Sequence, residues 1–420
     1  MTRNVLILGG GIPGVVAALE CGKLGLSVTL VCSEIELPPA AFRDSAGGWR
    51  WFVSEYPVGD IEPVERRELL LKNSRNRMVP PPKESLFGIP SSPLGSDVIN
   101  AVGTSAALLA YLDRVKPVLT IGKAHHLGAL VENRMGSAIL NTLVQPLIFE
   151  RFGVDPDAVD VAVAVPGLNE AITRTGSLST AVLSQLDTHE QIEQKFEFSQ
   201  TPEETRLLIG EALEYWGVQV MLKDPSEIDP ASETFSHRAL VVAGDLSLAQ
   251  RFIDLRSVGL ERTATRLTAT VLAQTHAPIG FVTRIVDAQN IPWSVRVEDE
   301  IADMKTVSVS RARRITTIDE HRTCVAAFSD EESVIVQQQV SLALGPETAV
   351  TFERKNLRCD AAPLTTLEEL YAQNRILENL NARTDVIVLS NCLQAGDDSA
   401  AIMRAKAEAE SLRRNLLGIA

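Results

Sequence analysis

The stretch that most limits what this chain can fold into is its first two dozen residues. A short apolar run, Asn4-Val5-Leu6-Ile7-Leu8, passes into Gly9-Gly10-Gly11-Ile12-Pro13-Gly14 and then into an apolar segment from Val15 to Leu24. The run reads as a buried parallel strand. Glycines at 9, 11 and 14 fit Gly-x-Gly-x-x-Gly, in which they serve a tight turn, close backbone approach to a pyrophosphate, and close packing of helix on strand. Pro13 suits the first turn of a helix, where its missing N–H costs nothing. The free N–H groups and partial positive charge at that helix end favour a diphosphate. After Gly25, Ser27-Val28-Thr29-Leu30-Val31-Cys32 reads as a second strand, closing a βαβ unit of roughly 30 residues. Glycine turns are common, but strand, turn, helix and strand in this order favour dinucleotide binding over a purely structural turn. The second strand of such a unit usually ends in an acid for the adenosine ribose. Here it ends in Cys32, with Ser33, Glu34 and Glu36 just beyond.

A chain of 420 residues exceeds one ordinary core, so two domains are expected. A net charge of −14 argues against nucleic acid or an anionic membrane as the main partner. The five cysteines are scattered, never Cys-x-x-Cys, and read as reduced, mostly buried thiols of a cytoplasmic protein. The histidines form no ligand-spaced cluster, so no metal site is expected. The first strand begins at the fourth residue, leaving no room for a signal peptide, and no apolar run reaches the ~18 residues of a membrane span.

Between Glu34 and Pro93, prolines and Gly47-Gly48 break any long periodicity. Arg43, Gly47, Gly48 and Arg50 lie where a loop folds back over a bound diphosphate or simply stays on the surface; Trp49 and Trp51 are expected to pack on the domain. Residues 96–195 read as helical: Ser96-Asp97 capping Val98 to Tyr111, then Gly128 to Phe152 kinked or split at Pro146, a short helix capped at Asp155, and another over Leu178 to Leu186. Thr201-Pro202-Glu203-Glu204 opens a helix that Gly217 ends. Val218 to Leu222 and Ala239-Leu240-Val241-Val242-Ala243 are strands. Alternating patterns over 266–297 and 306–350, including Thr323 to Phe328, suggest a second, mostly antiparallel sheet. An acidic amphipathic helix over Thr366 to Leu380, a strand over Asp385 to Leu389 and a helix over Ser399 to Leu417 complete the chain.

Buried parallel character thus recurs at 4–32, 201–245 and 384–418, separated by one helical and one antiparallel stretch. This interrupted layout resembles the flavin-dependent amine oxidase and protoporphyrinogen oxidase superfamily. The resemblance is carried by Gly9 to Gly14, by Ala212 to Val220, by Ala239 to Ala243, and by the closing Ser390-Asn391, Gly396-Asp397 and Ala405 to Ala409; Leu140 to Leu147 looks like the helical insert of the protoporphyrinogen oxidase branch. It implies an α/β fold: a Rossmann-like FAD domain from residues 1–75, 195–250 and 380–420, with a substrate domain from 76–194 (helical) and 251–379 (antiparallel sheet). The implied cofactor is FAD, held by Gly9, Gly10, Gly11, Ile12, Pro13, Gly14, Cys32, Ser33, Glu34, Arg43, Gly48, Ser226, Asn391 and Asp397. Several positions depart from the family pattern: Cys32 replaces the ribose acid, the Arg-x-Gly-Gly-Arg loop is stretched to Arg43 with Gly47-Gly48-Trp49, and Ser390-Asn391 replaces Gly-Asp or Gly-Asn.

The leading expectation is an FAD-dependent oxidoreductase acting on a small molecule, the cofactor supplying the redox chemistry and the protein orientation and electrostatics. Arg296 either places an anionic substrate or forms an ordinary ion pair on a strand. The departures favour a second reading, a flavin-fold protein with weakened or lost flavin binding that serves as a binding or partner subunit, in a homo- or hetero-oligomer. A nucleotide-sugar mutase is a third, pointed to by Pro292 to Arg296.

Overall fold

The computed structural model describes residues 4–417 except 24, 39–40, 65–68, 118–124, 230–238, 302–303, 319–329, 352–356 and 384–385. β1 (Asn4–Leu8), α1 (Ile12–Lys23) and β2 (Ser27–Cys32) form the βαβ unit. The loop region beyond it contributes β3 (Phe42–Arg43), α2 (Gly48–Glu55) and β4 (Ile61–Pro63). A helical stretch follows, with α3 (Ser96–Val102), α4 (Thr104–Tyr111), α5 (Leu127–Met135) and α6 (Gln145–Phe152). β5 (Lys195–Phe198) and α7 (Pro202–Tyr215) then lead to β6 (Gln219–Leu222) and β7 (Ala239–Ala243). The antiparallel part is β8 (Arg262–Gln274), β9 (Phe281–Val286), β10 (Pro292–Ile301), β11 (Met304–Arg311) and β12 (Arg314–Thr317), followed by α8 (Asp330–Leu344). α9 (Leu367–Asn381), β13 (Val386–Leu389) and α10 (Asp398–Leu417) close the chain.

Three distant segments share one parallel sheet of order β6-β2-β1-β7-β13. Alternation along β1 serves two cores: Val5 and Ile7 face α1 and the Ile402, Ala405 and Ala409 stripe of α10, whereas Leu6 and Leu8 face Leu246, Ile253 and Val388. That double burial is why the strand reads as a continuous apolar run. Thr201 and Glu204 form a capping box at the start of α7, each side chain accepting the other's backbone N–H. The second sheet is antiparallel through β12-β8-β11-β10-β9 and packs against α8 and α6. β3, β5 and β4 make a small separate sheet at the junction of the layers.

Several local expectations need correction. The helix over 98–111 is two helices, because Gly103, at φ 85°, turns the chain between α3 and α4. Gly95, not Ser96-Asp97, is the N-cap of α3. The helix over 128–152 breaks first at Gly136, and a π-helical turn over Leu140–Val144 absorbs the N–H that Pro146 lacks. Asp155 does stand at the N-cap of a short helical turn over Pro156–Ala158, but its side chain makes no capping bond and its Oδ2 accepts from Arg284 Nη2 at 2.8 Å. Part of the alternating stretch, 330–344, is the helix α8: its β-branched run suggests a strand, but Val336 and Val340 are buried four residues apart against the sheet while Val334 is exposed. The strand expected at Thr323 to Phe328 lies outside the described residues.

Candidate functional site

β1 connects to β2 on one side and borders β7 on the other, so the crevice beyond its C-terminal end is a topological switch point, where ligands of open parallel sheets bind. The glycine turn sits there, and its members differ in what enforces them. At Gly9, with φ 121°, a Cβ would lie 1.8 Å from the Ala243 carbonyl oxygen. At Gly14 it would lie 2.4 Å from the Gly9 oxygen, and at Gly10 1.9 Å from the Glu34 oxygen. Gly11 is different: a Cβ would meet no described atom closer than 3.8 Å, and φ is not positive. Gly9, Gly10 and Gly14 are therefore required by the fold, whereas Gly11 leaves an open cradle at the helix start. Ile12 is buried beneath the turn and Pro13 stands in the first turn of α1.

Cys32 ends β2 fully buried, and burial followed by the charge of Glu36 pushes its thiol pKa up, as suits an inert packed thiol. Beyond it the chain folds back over the turn. Glu36 N–H donates to Gly10 O at 2.9 Å, and Gly11 and Glu36 form a parallel bridge. The Glu36 Oε2 is 3.9 Å from the Cβ position of Gly11. This exposed carboxylate accepts no hydrogen bond from a described residue; partial burial, Glu34 and Asp245 push its pKa up. A carboxylate thus stands beside the turn four residues after Cys32. Ser33 and Glu34 point to solvent nearby, and Ser226 lies in the turn after β6, which is tied to β2 by Lys223 N–H to Cys32 O at 3.0 Å.

The second loop is fastened elsewhere. Buried Asp44 accepts from Trp49 N–H at 2.8 Å, Arg50 Nε at 2.7 Å and Ser399 Oγ at 2.8 Å. Ser399 Oγ in turn accepts from Gly48 N–H at 2.9 Å and Ala46 N–H at 3.1 Å. The amides expected to reach a diphosphate are therefore bound to the start of α10, where Ser45 also donates to Asp397. Trp49 is buried in the core, as expected. Asn391 Nδ2 donates to Asp398 at 3.3 Å. The Asp398 carboxyl is pushed up to about 6, by burial first and then by Asp397 and Asp360, against the Asn391 bond. A raised acid costs stability once pH passes its unfolded pKa, and the full cost is reached above its folded pKa. Asp398→Asn is therefore expected to raise the melting temperature at pH 7.5 by a few degrees and leave it unchanged near pH 3.5, as differential scanning fluorimetry at the two pH values will read.

Where the helical, antiparallel and parallel parts meet, charged side chains gather. Arg43 donates from Nε to Glu193 at 2.8 Å, and Arg151 stands 3.5 Å from the other Glu193 oxygen. Arg296 on β10 donates to Glu150 at 2.6 Å, an ion pair on a strand. Arg266 on β8 donates to the Glu150 carbonyl at 2.5 Å, near the end of α6. Burial alone would raise the pKa of Glu150, but Arg296 and then Lys195 hold it below the usual carboxylate range. Burial pushes Arg266 down to about 10 and also lowers Arg151 and Lys195, with Arg43 adding to the effect on both. The Nε atoms of Arg266 and Arg296 are buried and make no hydrogen bond among the described residues. Lys195, Glu193, Arg151 and Glu150 escaped the sequence reading. The only signal was the alternation Lys195-Phe196-Glu197-Phe198, too short to separate from loop.

Two open depressions, of about 500 and 560 Å³, lie at Gln250–Arg256 and around Val334–Pro346, away from both the glycine turn and this cluster. Among the described residues no group of His, Cys, Asp and Glu suits a metal ion, and no helix is long and apolar enough to cross a membrane.

No family model and no curated protein matches the sequence. Solved structures do match the fold. A protein from Exiguobacterium sp. 255-15, provisionally named a protoporphyrinogen oxidase, aligns over 99% of each chain at 15% identity and a TM-score of 0.66. The fold is the one the family resemblance implied. Cyclohexylamine oxidase from Brevibacterium oxydans IH-35A aligns over 99% of this chain and 100% of its own, at 12% identity and a TM-score of 0.52. At these identities the likeness speaks for the three-segment sheet and the two inserts, not for the chemistry.

Proposed function

We propose that this chain is an FAD-dependent oxidoreductase acting on a small molecule, with the adenosine diphosphate half of the cofactor at the glycine turn. The observation that carries this reading is the open backbone at Gly11, beside a Glu36 carboxylate that no described residue hydrogen-bonds, at the switch point of the parallel sheet. In this reading the α1 N-terminus holds the diphosphate and Glu36 accepts from the ribose hydroxyls. Bound FAD supplies a hydride acceptor. The protein's own part is to orient the reactants and exclude water between the layers. This reading takes 1–75, 195–250 and 380–420 as the nucleotide domain and 76–194 and 251–379 as the substrate domain, with Leu70 and Leu71 reaching across to pair with Phe281 and Val282 of the second sheet.

A specific observation favours a second reading, weakened flavin binding in a partner subunit: the Gly48 and Ala46 amides are already bound by Ser399. The visible spectrum of the purified protein separates the two. The expected result is the visible absorption of a bound flavin, with FAD released on denaturation. A protein that is colourless and stays so after dialysis against FAD would sink the oxidoreductase reading and leave the second.

A further inference from the structure

The outer face of α4 inverts the usual arrangement of a surface helix, which turns its bulky apolar residues inward and its polar ones to water. In α4 and the helical turn Leu112–Val115 that continues it, the small Ala107 and Ala110 are buried in the core. Leu108, Leu109, Tyr111 and Leu112 are 37–55% exposed instead, and Val115 is 75% exposed. Rolling the helix to cover them is prevented by Asp113 in the same turn. That side chain is fully buried and accepts from Arg134 Nε and, at 2.8 Å, from the Ser179 N–H. The five outward side chains leave on the order of 500 Å² of surface uncovered, the size of the largest apolar patch on an ordinary monomer. Two such faces together would bury about 1,000 Å², the area at which a specific interface begins.

The rim and the symmetry of the face say what fits it. A helix that lies on a membrane sets free lysines and arginines beside its apolar face to meet lipid phosphates. Here both rim cations are engaged. The Arg114 guanidinium stands 5.4 Å over the Tyr111 ring, and the Lys116 ammonium donates to the Asn133 and Arg134 carbonyls at 2.6 and 3.0 Å. A second copy needs no free cations, and the face is self-complementary. Its exposed positions Ser105, Leu108, Leu109, Tyr111, Leu112 and Val115 lie symmetrically about residue 110. Two copies laid face to face and antiparallel therefore set Leu108 of one against Leu112 of the other. Val115 then lies over Ser105, bulky against small, with Leu109 and Tyr111 flanking the seam. We propose that this face is a twofold interface between two copies of this chain. The interface goes beyond the oxidoreductase reading and does not depend on it.

The test is sedimentation velocity of the full chain over the micromolar range, where wild type is expected to run as a dimer. Leu112→Glu and Val115→Glu should each weaken association roughly tenfold or more, because each buries a charge in an apolar seam. Their circular dichroism should match wild type, as should melts taken at dilutions where wild type is itself monomeric. Leu108→Lys combined with Leu112→Glu should recover the dimer, since the register sets each lysine against the glutamate of the other copy. Tyr215→Ser removes an apolar side chain that is 79% exposed at the end of α7, and should dimerise as wild type does. A monomeric wild type would overturn the proposal, as would a dimer that survives both glutamate variants or is lost in Tyr215→Ser. Leu112→Glu with unchanged mass and a lower melting temperature would mean that the chain covers the face itself. A monomer that floats with vesicles of phosphatidylcholine and phosphatidylglycerol, and loses them in Leu112→Glu, would assign the face to lipid. Either of those results overturns the twofold interface. All of these outcomes read the same for a yellow protein and a colourless one, so they are separable from the flavin reading.

Discussion

Gly11→Ala is expected to leave circular dichroism and melting temperature near wild type while weakening FAD binding roughly a hundredfold, a loss of about 2.7 kcal/mol. The new Cβ would stand at ordinary contact distance from Pro13 Cδ and Glu36 Oε2, 3.8 and 3.9 Å, so the fold has no reason to object. It would, however, fill the space through which a diphosphate reaches the α1 backbone. Gly14→Ala makes the opposite prediction. Its Cβ would lie 2.4 Å from the Gly9 oxygen and 2.8 Å from the Ala243 Cβ, so helix and strand must separate. Overpacking of that kind costs about 1–3 kcal/mol, and lowered thermal stability should dominate the phenotype. Fluorescence-quenching titration of FAD beside thermal melts of both variants reads the contrast. Equal FAD affinity in Gly11→Ala and wild type would reduce the turn to a structural device.

The pattern at 4–32 was legible because each of its signals is local: an apolar run, three glycines, a proline at the helix start and a second apolar run at the right distance. β7 and β13 were legible for the same reason, since a strand buried on both faces shows as unbroken apolar sequence. The α8 segment misled because Val334, Ile335 and Val336 are β-branched, and propensity over so short a run yields to packing by Val336 and Val340. The cluster around Lys195 was not legible at all. Its members come from β3, β5, α6, β8 and β10, and the register that sets Arg43 opposite Lys195 depends on strands of two and four residues. Likewise, that Ser399 binds the Gly48 amide depends on the docking of two segments about 350 residues apart, which no local signal encodes.

The adenosine end poses the same question of displacement more sharply, because an acid is absent where the pattern wants it and present where it does not. Glu36 reaches the turn by a backbone bridge to Gly11, and its carboxylate accepts no hydrogen bond from a described residue. Glu36→Ala is therefore expected to weaken FAD roughly ten- to a hundredfold, the worth of about 1.5–3 kcal/mol for a hydrogen bond to a charged acceptor. Its effect on folding should be small, since the side chain is exposed and solvent screens its repulsion with Glu34 and Asp245. Cys32→Glu should not tighten binding. Position 32 is fully buried against the turn, with its Cβ 2.8 Å from where a Gly10 Cβ would be, and a second carboxylate beside Glu36 would add repulsion and a desolvation cost. Titration of FAD into Glu36→Ala, Glu34→Ala and Cys32→Glu separates the possibilities. Loss in Glu36→Ala alone assigns the ribose to Glu36. Loss in Glu34→Ala instead moves the acid two residues back, toward solvent, and tighter binding in Cys32→Glu would mean that the family position itself faces the ribose and that the Gly11–Glu36 bridge opens when nucleotide binds.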